Sequence, residues 1–272
     1  MALEHGPARS QVSANRTVPG WRRWGLAAVL AGVAAAPAAA QTEFHFQYGS
    51  LVNPFSAEST PSRILTFQQA SGWSLGDSFF FIDYIDDGLG DGFNDKDFYG
   101  EWYPTLSFGK MSGRTVGGGA LRDVALIGGI NFGGDADFFK YLPGLRLSWA
   151  VPGFFFLNTD FTAFIDGNTG SAAPRTSNSW MFDVNWGAGF DVGTQSFGFF
   201  GHAEYIHRVT DEFGNEVRSW ILAQPQLVWD LGKAISGQPN QLFLGGEYQY
   251  WPNKLGTDTD ENLVQFLIIW RL

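Results

Sequence analysis

The chain has 272 residues, of which 35 are glycine and 17% are aromatic, and it carries a formal net charge of −10 with no cysteine. The lack of cysteine excludes disulfides and thiolate metal sites, and the acidic balance argues against nucleic acid as a partner. A mean hydropathy of −0.09, with no apolar run of about 20 residues after the first forty, excludes a helical membrane protein.

Residues 1–40 have the features of a secretory signal peptide. Arg22 and Arg23 precede the apolar run 24–36, and small residues follow that run up to Ala40. This order predicts cleavage near Ala40, and the shortness of the apolar run argues against the alternative of a membrane anchor helix. The signal holds four arginines and one glutamate, so cleavage leaves 13 of the 17 basic and 26 of the 27 acidic side chains.

The mature chain, residues 41–272, alternates between apolar and polar residues in one segment after another. A period of two indicates β-strands with two unlike faces. A tilted strand needs roughly 9–11 residues to span a membrane, and about twelve segments approach or exceed that length. The predicted strands are 43–51, 63–73, 77–87, 97–108, 123–133, 142–151, 154–166, 178–192, 197–210, 217–231, 241–252 and 262–272.

The connections between these strands alternate between two classes. Longer ones rich in Asp, Asn, Ser and Thr alternate with turns that are mostly short. In outer-membrane barrels, extracellular loops alternate with periplasmic turns, and the strand number is even. The sequence therefore predicts an all-β fold, a closed antiparallel transmembrane β-barrel of about 12 strands with both termini periplasmic.

The stretch WMFDVNWGAGFDV, residues 180–192, indicates which face of the strands points inward. Trp180 and Phe182 share one face, whereas Asp183 and Asn185 share the other. The polar faces of the strands are poor in lysine, and the apolar faces begin and end in aromatic residues, as girdles at a lipid interface do. We therefore expect the apolar face to meet lipid. The rival, a lipocalin-like barrel with an apolar lumen, has ~8 strands and would leave roughly a third of the chain unused.

Taken strand by strand, this orientation predicts a lumen lined with charged, amide and aromatic side chains. Carboxylates and amides hydrogen-bond and rings stack, so such a lumen suits a flat polar solute, for example a heterocycle carrying a sugar. The predicted solute-binding residues are Asp83, Tyr99, Glu101, Tyr103, Asp160, Asp183 and Glu204. The other charged residues predicted to face the lumen are Asp87, Asp97, Asp191, Glu247, Arg146, Arg208, Arg218, Arg271, His45 and His202.

Two stretches resemble a known family. Residues 64–88, ILTFQQASGWSLGDSFFFIDYIDDG, and residues 98–113, FYGEWYPTLSFGKMSG, are similar to the first strands of the nucleoside-specific outer-membrane channels, the Tsx-like porins. Both have an alternating strand, a short turn, an aromatic strand ending in Asp and a strand with Glu-x-x-Pro, here Glu101 to Pro104. The resemblance implies passive uptake of nucleosides and use as a receptor by a phage or colicin.

The hypothesis is a substrate-selective, energy-independent diffusion channel in the outer membrane of a Gram-negative bacterium. The alternatives are a phage or colicin-type receptor, a general porin and a barrel hydrolase in which His202 acts as a base oriented by Glu204. The sequence has no phosphate loop or metal-ligand spacing, so it predicts no enzyme, cofactor or metal. The predicted partners are small polar solutes such as nucleosides, outer-membrane lipid, the barrel assembly machinery through the apolar C-terminal strand, and a phage or bacteriocin, but no nucleic acid.

Overall fold

A computed structural model describes residues 39–134 and 136–272, which form a closed antiparallel β-barrel. Thirteen segments belong to one sheet, and two of them are successive pieces of one strand, so the barrel has twelve strands. They are β1 Ala39–Val52, β2 Ser59–Gly72, β3 Asp77–Asp86, β4 Asp95–Ser107, β5 Leu121–Gly133, β6 Phe139–Trp149, β7 Phe154–Asp166, β8 Ser179–Val192, β9 Gln195–Ile206, β10 Trp220–Ala223 with Gln226–Asp230, β11 Leu242–Trp251 and β12 Glu261–Arg271.

The barrel closes between its first and last strands. β1 pairs antiparallel with β12, from Glu43 opposite Arg271 to Tyr48 opposite Phe266, and every other strand pairs with its neighbours in the chain. Closure removes the free edges of the sheet, so the backbone groups of the strands bond to one another. We call the end that carries the start of β1 and the end of β12 the turn end, and the opposite end the loop end.

All twelve predicted strands are present, and 154–166 matches β7 residue for residue. The prediction of one unbroken strand over 217–231 is wrong, because the ladder is interrupted at Gln224 and Pro225. Proline has no N–H to donate to a ladder, so it interrupts a central strand. The signal peptide predicted for residues 1–40 lies outside the described residues except for its last two positions.

The two faces of each strand are arranged as the alternation predicts. In β8, Met181 and Asp183 point into the barrel and are 2% and 7% exposed, whereas Phe182 between them points outward and is 39% exposed. In β1, His45 is buried inside while Phe46 lies on the outer surface. The outer surface is therefore apolar and the interior is polar. Among the described residues, no helix is long and apolar enough to cross a membrane.

Two of the connections at the turn end contain a short helix, which accounts for their length. Helix α1, Phe108–Ser112, begins after Ser107, whose hydroxyl accepts a hydrogen bond from the N–H of Lys110. Helix α2, Leu231–Ser236, begins after Asp230 and ends at Gly237, which has φ +70°. Glycine adopts this left-handed conformation without a steric penalty, so it commonly ends helices.

Replacing Asp230 by alanine should lower the free energy of unfolding by about 1–2 kcal/mol. The buried Asp230 carboxylate accepts hydrogen bonds from the N–H of Lys233 and of Asn240, both at 2.8 Å, and alanine leaves both donors unpaired. Urea unfolding of the barrel in lipid vesicles measures the change. The control is Asp258→Ala, which removes an exposed aspartate paired with the exposed Arg218. Equal losses in the two variants would contradict the capping role.

Candidate lumen site

The seven predicted solute-binding residues all lie on strands of the barrel and on their inner faces. Asp83 on β3 is opposite Tyr99 on β4. On the other side of the barrel, Asp160 is opposite Asp183, and Asp183 is opposite Glu204. Directly opposed residues have Cβ atoms roughly 5 Å apart. The seven residues therefore form two groups of close neighbours, one on each side of the barrel.

The first group joins two tyrosines and a carboxylate. The Tyr99 hydroxyl donates to Oε1 of Glu101 at 2.5 Å, and Nδ2 of Asn131 donates to the same oxygen at 3.0 Å. The Tyr103 hydroxyl donates to Oδ1 of Asn131 at 2.9 Å. Sequence reasoning missed Asn131, although the period of two in strand 123–133 places it on the inner face. These bonds hold the rings of both tyrosines against the lumen wall.

Asp83 and Phe81 extend this group along β3. The hydroxyl of Thr66 donates to Oδ1 of Asp83 at 2.6 Å. The Phe81 ring lies 6.1 Å from the Tyr99 ring, measured between centroids. One side of the lumen therefore presents aromatic faces beside carboxylate oxygens.

The second group contains a bidentate ion pair. Nε and Nη2 of Arg146 donate to the two oxygens of Asp160 at 2.7 and 2.5 Å. Nδ2 of Asn185 donates to Oδ1 of Asp183 at 2.7 Å and lies 3.4 Å from Oδ2 of Asp160. Such paired geometry is strong and directional, so Asp160 serves first as the partner of Arg146.

The hydrolase alternative had Glu204 orient His202, but in the structure His202 contacts Asp183 instead. Its Nδ1 lies 3.3 Å from Oδ2 of Asp183, and its Nε2 lies 2.8 Å from Oε1 of Gln224. Glu204, two residues away on the same strand, makes no hydrogen bond to it. Residues i and i+2 of a strand share a face but are separated by two rises of about 3.3 Å, whereas neighbours on adjacent strands come closer.

Glu204 differs from the other lumen carboxylates. It is 7% exposed, and within residues 39–134 and 136–272 its side chain has no hydrogen-bond partner. It interacts electrostatically with Glu101, His202 and Asp183. Because Glu101 is on β4 and Glu204 is on β9, this interaction crosses the lumen rather than following its wall. Glu204 therefore presents an unsatisfied acceptor at mid-lumen.

A belt of amides surrounds Glu247 on β11. Its oxygens accept hydrogen bonds from Nε2 of Gln224 at 3.2 Å, of Gln226 at 2.8 Å and of Gln265 at 3.2 Å. Amide donors compensate the charge of this buried carboxylate. Glu247 is thus a fully partnered counterpart of Glu204.

Glu43 links the first and last strands of the barrel. The sequence analysis did not include it among the lumen residues. Its Oε1 accepts from Nε of Arg271 at 2.6 Å, and its Oε2 lies 3.0 Å from Nε2 of His45. The pair joins β1 to β12 across the closure. The alternation of 43–51 placed Glu43 on the same face as His45 and Gln47, so the signal was present.

Lys254 and Glu261 form a buried ion pair near the loop end. Nζ of Lys254 lies 2.9 Å from both carboxylate oxygens of Glu261, and the two residues are 1% and 0% exposed. The ammonium also lies 4.8 Å from the Trp251 ring and 5.3 Å from the ring of Phe93 in the β3–β4 connection. Burial lowers the pKa of Lys254, and the Glu261 carboxylate opposes that shift.

Four charged residues predicted for the lumen lie outside it. Arg208 pairs with Glu216 in the β9–β10 connection, and Arg218 pairs with Asp258 in the next loop. Asp87 lies in the β3–β4 connection, and Asp191 is exposed at the turn end, where it accepts from Ser196. The predictions for Asp87, Arg208 and Arg218 failed because the strands end before these residues, whereas Asp191 is on β8 but so close to its end that it lies beyond the lumen.

Sequence reasoning also missed that residues 72–76 read Gly-Trp-Ser-Leu-Gly, which matches the Gly-x-Ser-x-Gly pattern of hydrolases. That pattern is functional when the serine lies on a sharp turn between a strand and a helix. Here Ser74 is exposed in the turn between β2 and β3, at the turn end. The structure thus gives the serine none of the context that the pattern requires.

No family model matches the chain, and no curated protein matches it. Among solved structures, the NanC porin is similar, with a TM-score of 0.50 and 11% identity over 86% of this chain and 100% of that chain. The KdgM porin follows, with a TM-score of 0.45 and 6% identity over 85% of this chain and 98% of that chain. The likeness to NanC supports the predicted fold class, a closed antiparallel transmembrane β-barrel. The resemblance to the nucleoside-specific channel family is not confirmed.

Proposed function

We propose that this chain is an outer-membrane diffusion channel for small polar solutes and that nucleosides are its substrate class. The observation that carries the proposal is the inside-out arrangement of the barrel: an apolar outer surface encloses carboxylates, amides and tyrosines. A barrel of this kind is stable in lipid because its strands satisfy one another's backbone groups. The polar residues are then free to line a path for solutes.

The turn end, with both barrel termini, faces the periplasm in this proposal, and the loop end faces the outside of a Gram-negative cell. This orientation follows the general arrangement of outer-membrane barrels, with short periplasmic turns and longer extracellular loops. The signal predicted for residues 1–40 would deliver the chain to that compartment. The barrel assembly machinery and outer-membrane lipid are its expected partners.

The nucleoside proposal rests on the wall that contains Phe81, Tyr99 and Tyr103. Flat rings at the lumen surface can stack on a base, and the carboxylates of Asp83 and Glu101 beside them can accept hydrogen bonds from ribose hydroxyls. Asp160, Asp183 and Glu204 provide acceptors on the facing wall. A site with rings on one side and acceptors on both suits a heterocycle attached to a sugar.

The test is a planar-bilayer recording in which adenosine and uridine are compared with glucose and glycine as blockers of the ion current. We expect nucleosides to block at concentrations about tenfold lower than sugars or amino acids, since stacking on an aromatic side chain contributes roughly 1–3 kcal/mol per base. Tyr99→Leu should remove most of that preference. Tyr248→Leu is the matched control, because Tyr248 lies on the outer surface against Tyr250.

Three results would overturn the proposal or part of it. If nucleosides block no better than glucose, the chain is a general porin. If the folded barrel conducts no ions, the receptor function becomes the better account, and phage or bacteriocin binding to the loop end is then the assay. Release of fatty acid from phospholipid by the purified barrel would instead support the hydrolase alternative.

A further inference from the structure

The strongest unexplained feature of the lumen is the carboxylate of Glu204. It is more than nine-tenths buried and has no hydrogen-bond partner among the described residues, whereas Glu101, Asp160, Asp183 and Glu247 are all hydrogen-bonded. A buried charged group without partners is costly, so proteins normally pair such groups. The barrel wall supplies no donor to this carboxylate, so its oxygens are open to a donor from the lumen, either water or a solute.

The surroundings of Glu204 favour a positively charged partner. Glu101 and Asp183 both interact with it repulsively, and His202 alone among its electrostatic neighbours can carry positive charge. The His202 ring is already engaged by Asp183 and Gln224, and the Arg146 guanidinium is turned toward Asp160, to which it donates two hydrogen bonds. The centre of the lumen thus has more acidic side chains than cationic ones.

A single metal ion fits this arrangement poorly. Among residues 39–134 and 136–272, the one set of three acidic or histidine side chains with ligand atoms within 4.8 Å of one another is Asp87, Asp91 and Asp95 in the β3–β4 connection. The carboxylates of the lumen are more widely spaced. An organic cation, whose N–H groups point in several directions, can bridge such spacing.

We propose that Glu204 is the primary acceptor for a protonated amine carried by the solute, with Glu101 and Asp183 as further acceptors. The inference deepens the proposed channel function and rests on it, because it adds cationic solutes, such as amines and amino-substituted nucleosides, to the substrate class. Charge-assisted hydrogen bonds are roughly twice as strong as neutral ones. The amine would also give this carboxylate the charged donor that the barrel wall does not supply.

The test measures equilibrium binding of putrescine to the folded barrel in detergent micelles by titration calorimetry, with 1,4-butanediol as the uncharged probe of equal length. We expect putrescine to bind at least about tenfold more tightly than the diol, and Glu204→Gln to lower its affinity by roughly tenfold or more. The matched control is Glu247→Gln. It removes the same charge from the lumen at a carboxylate that amides already satisfy, and we expect a change of less than about threefold.

Three results would overturn the inference. They are equal binding of putrescine and the diol to the unmodified barrel, an unchanged affinity in Glu204→Gln, or equal losses in Glu204→Gln and Glu247→Gln. The first comparison needs no variant, so it decides the matter even if a variant fails to fold. Ion conduction by the unmodified barrel is recorded separately and tests the channel function alone. Conduction without amine binding therefore refutes only the inference, and amine binding without conduction refutes the channel.

Discussion

Lys254→Met is expected to lower the free energy of unfolding by about 3–5 kcal/mol. The substitution keeps the volume of the side chain but leaves the Glu261 carboxylate buried without its ammonium partner. Gln249 and the N–H of Val52 also donate to Glu261, but neither is charged. The free energy is measured by urea unfolding of the barrel in lipid vesicles, followed by tryptophan fluorescence.

The double variant Lys254→Met with Glu261→Gln separates the ion pair from packing. Removing both charges should recover much of the loss, since the large cost comes from an unpaired buried charge rather than from the absent attraction. Lys233→Met is the control, because Lys233 is an exposed lysine at the turn end, 3.7 Å from Asp191. Its loss should stay below about 1 kcal/mol. A small effect of Lys254→Met, similar to that control, would contradict the buried pair.

The second large effect is expected for Phe46→Arg, at about 2–4 kcal/mol of lost stability in a bilayer. Phe46 lies midway along β1 on the outer surface, opposite Leu65 on β2 and Ile268 on β12. An arginine there must place its guanidinium among lipid chains, far from water at either interface. The cost arises only if this surface faces lipid, so the variant tests the orientation of the whole barrel.

Phe213→Arg is the matched control for that substitution. Phe213 is 76% exposed in the β9–β10 connection, beyond the end of the strands, where a charged side chain meets water. We expect a change of less than about 0.5 kcal/mol, as for an ordinary surface substitution. Both variants are compared by the urea concentration at the unfolding midpoint in vesicles. Equal tolerance of both arginines would mean that Phe46 does not face hydrocarbon.

The arrangement of the lumen residues was predicted only in part, and the correct placements on the inner face share a cause. Asp83, Tyr99 and Asp183 were placed on the inner face because the direction of a side chain from a strand follows from the parity of its position. Their partners were not predicted. Asn131 meets Glu101 and His202 meets Asp183 because of the register between strands, which the alternation within one strand does not contain.

Glu204 and Lys254 also show what the alternation of residues cannot predict. Parity placed Glu204 in the lumen, but only the packed barrel shows that no donor reaches it and that Glu101 on β4 lies near enough to repel it. Lys254 lies in a connection where no periodicity operates, so its burial against Glu261 depends on how the loop folds over the barrel mouth.

By itself, the sequence determined the fold class, the twelve strands, the alternation of loops and turns, and the side of each strand that meets lipid. Each of these follows from local chemistry, because a spanning strand must turn apolar side chains outward and satisfy its backbone groups with its neighbours. Only the tertiary structure decided which lumen charges are paired, which acceptor stays free and which loop residues enter the barrel. Those features depend on distances between residues far apart in the chain, and such distances are set when the barrel closes.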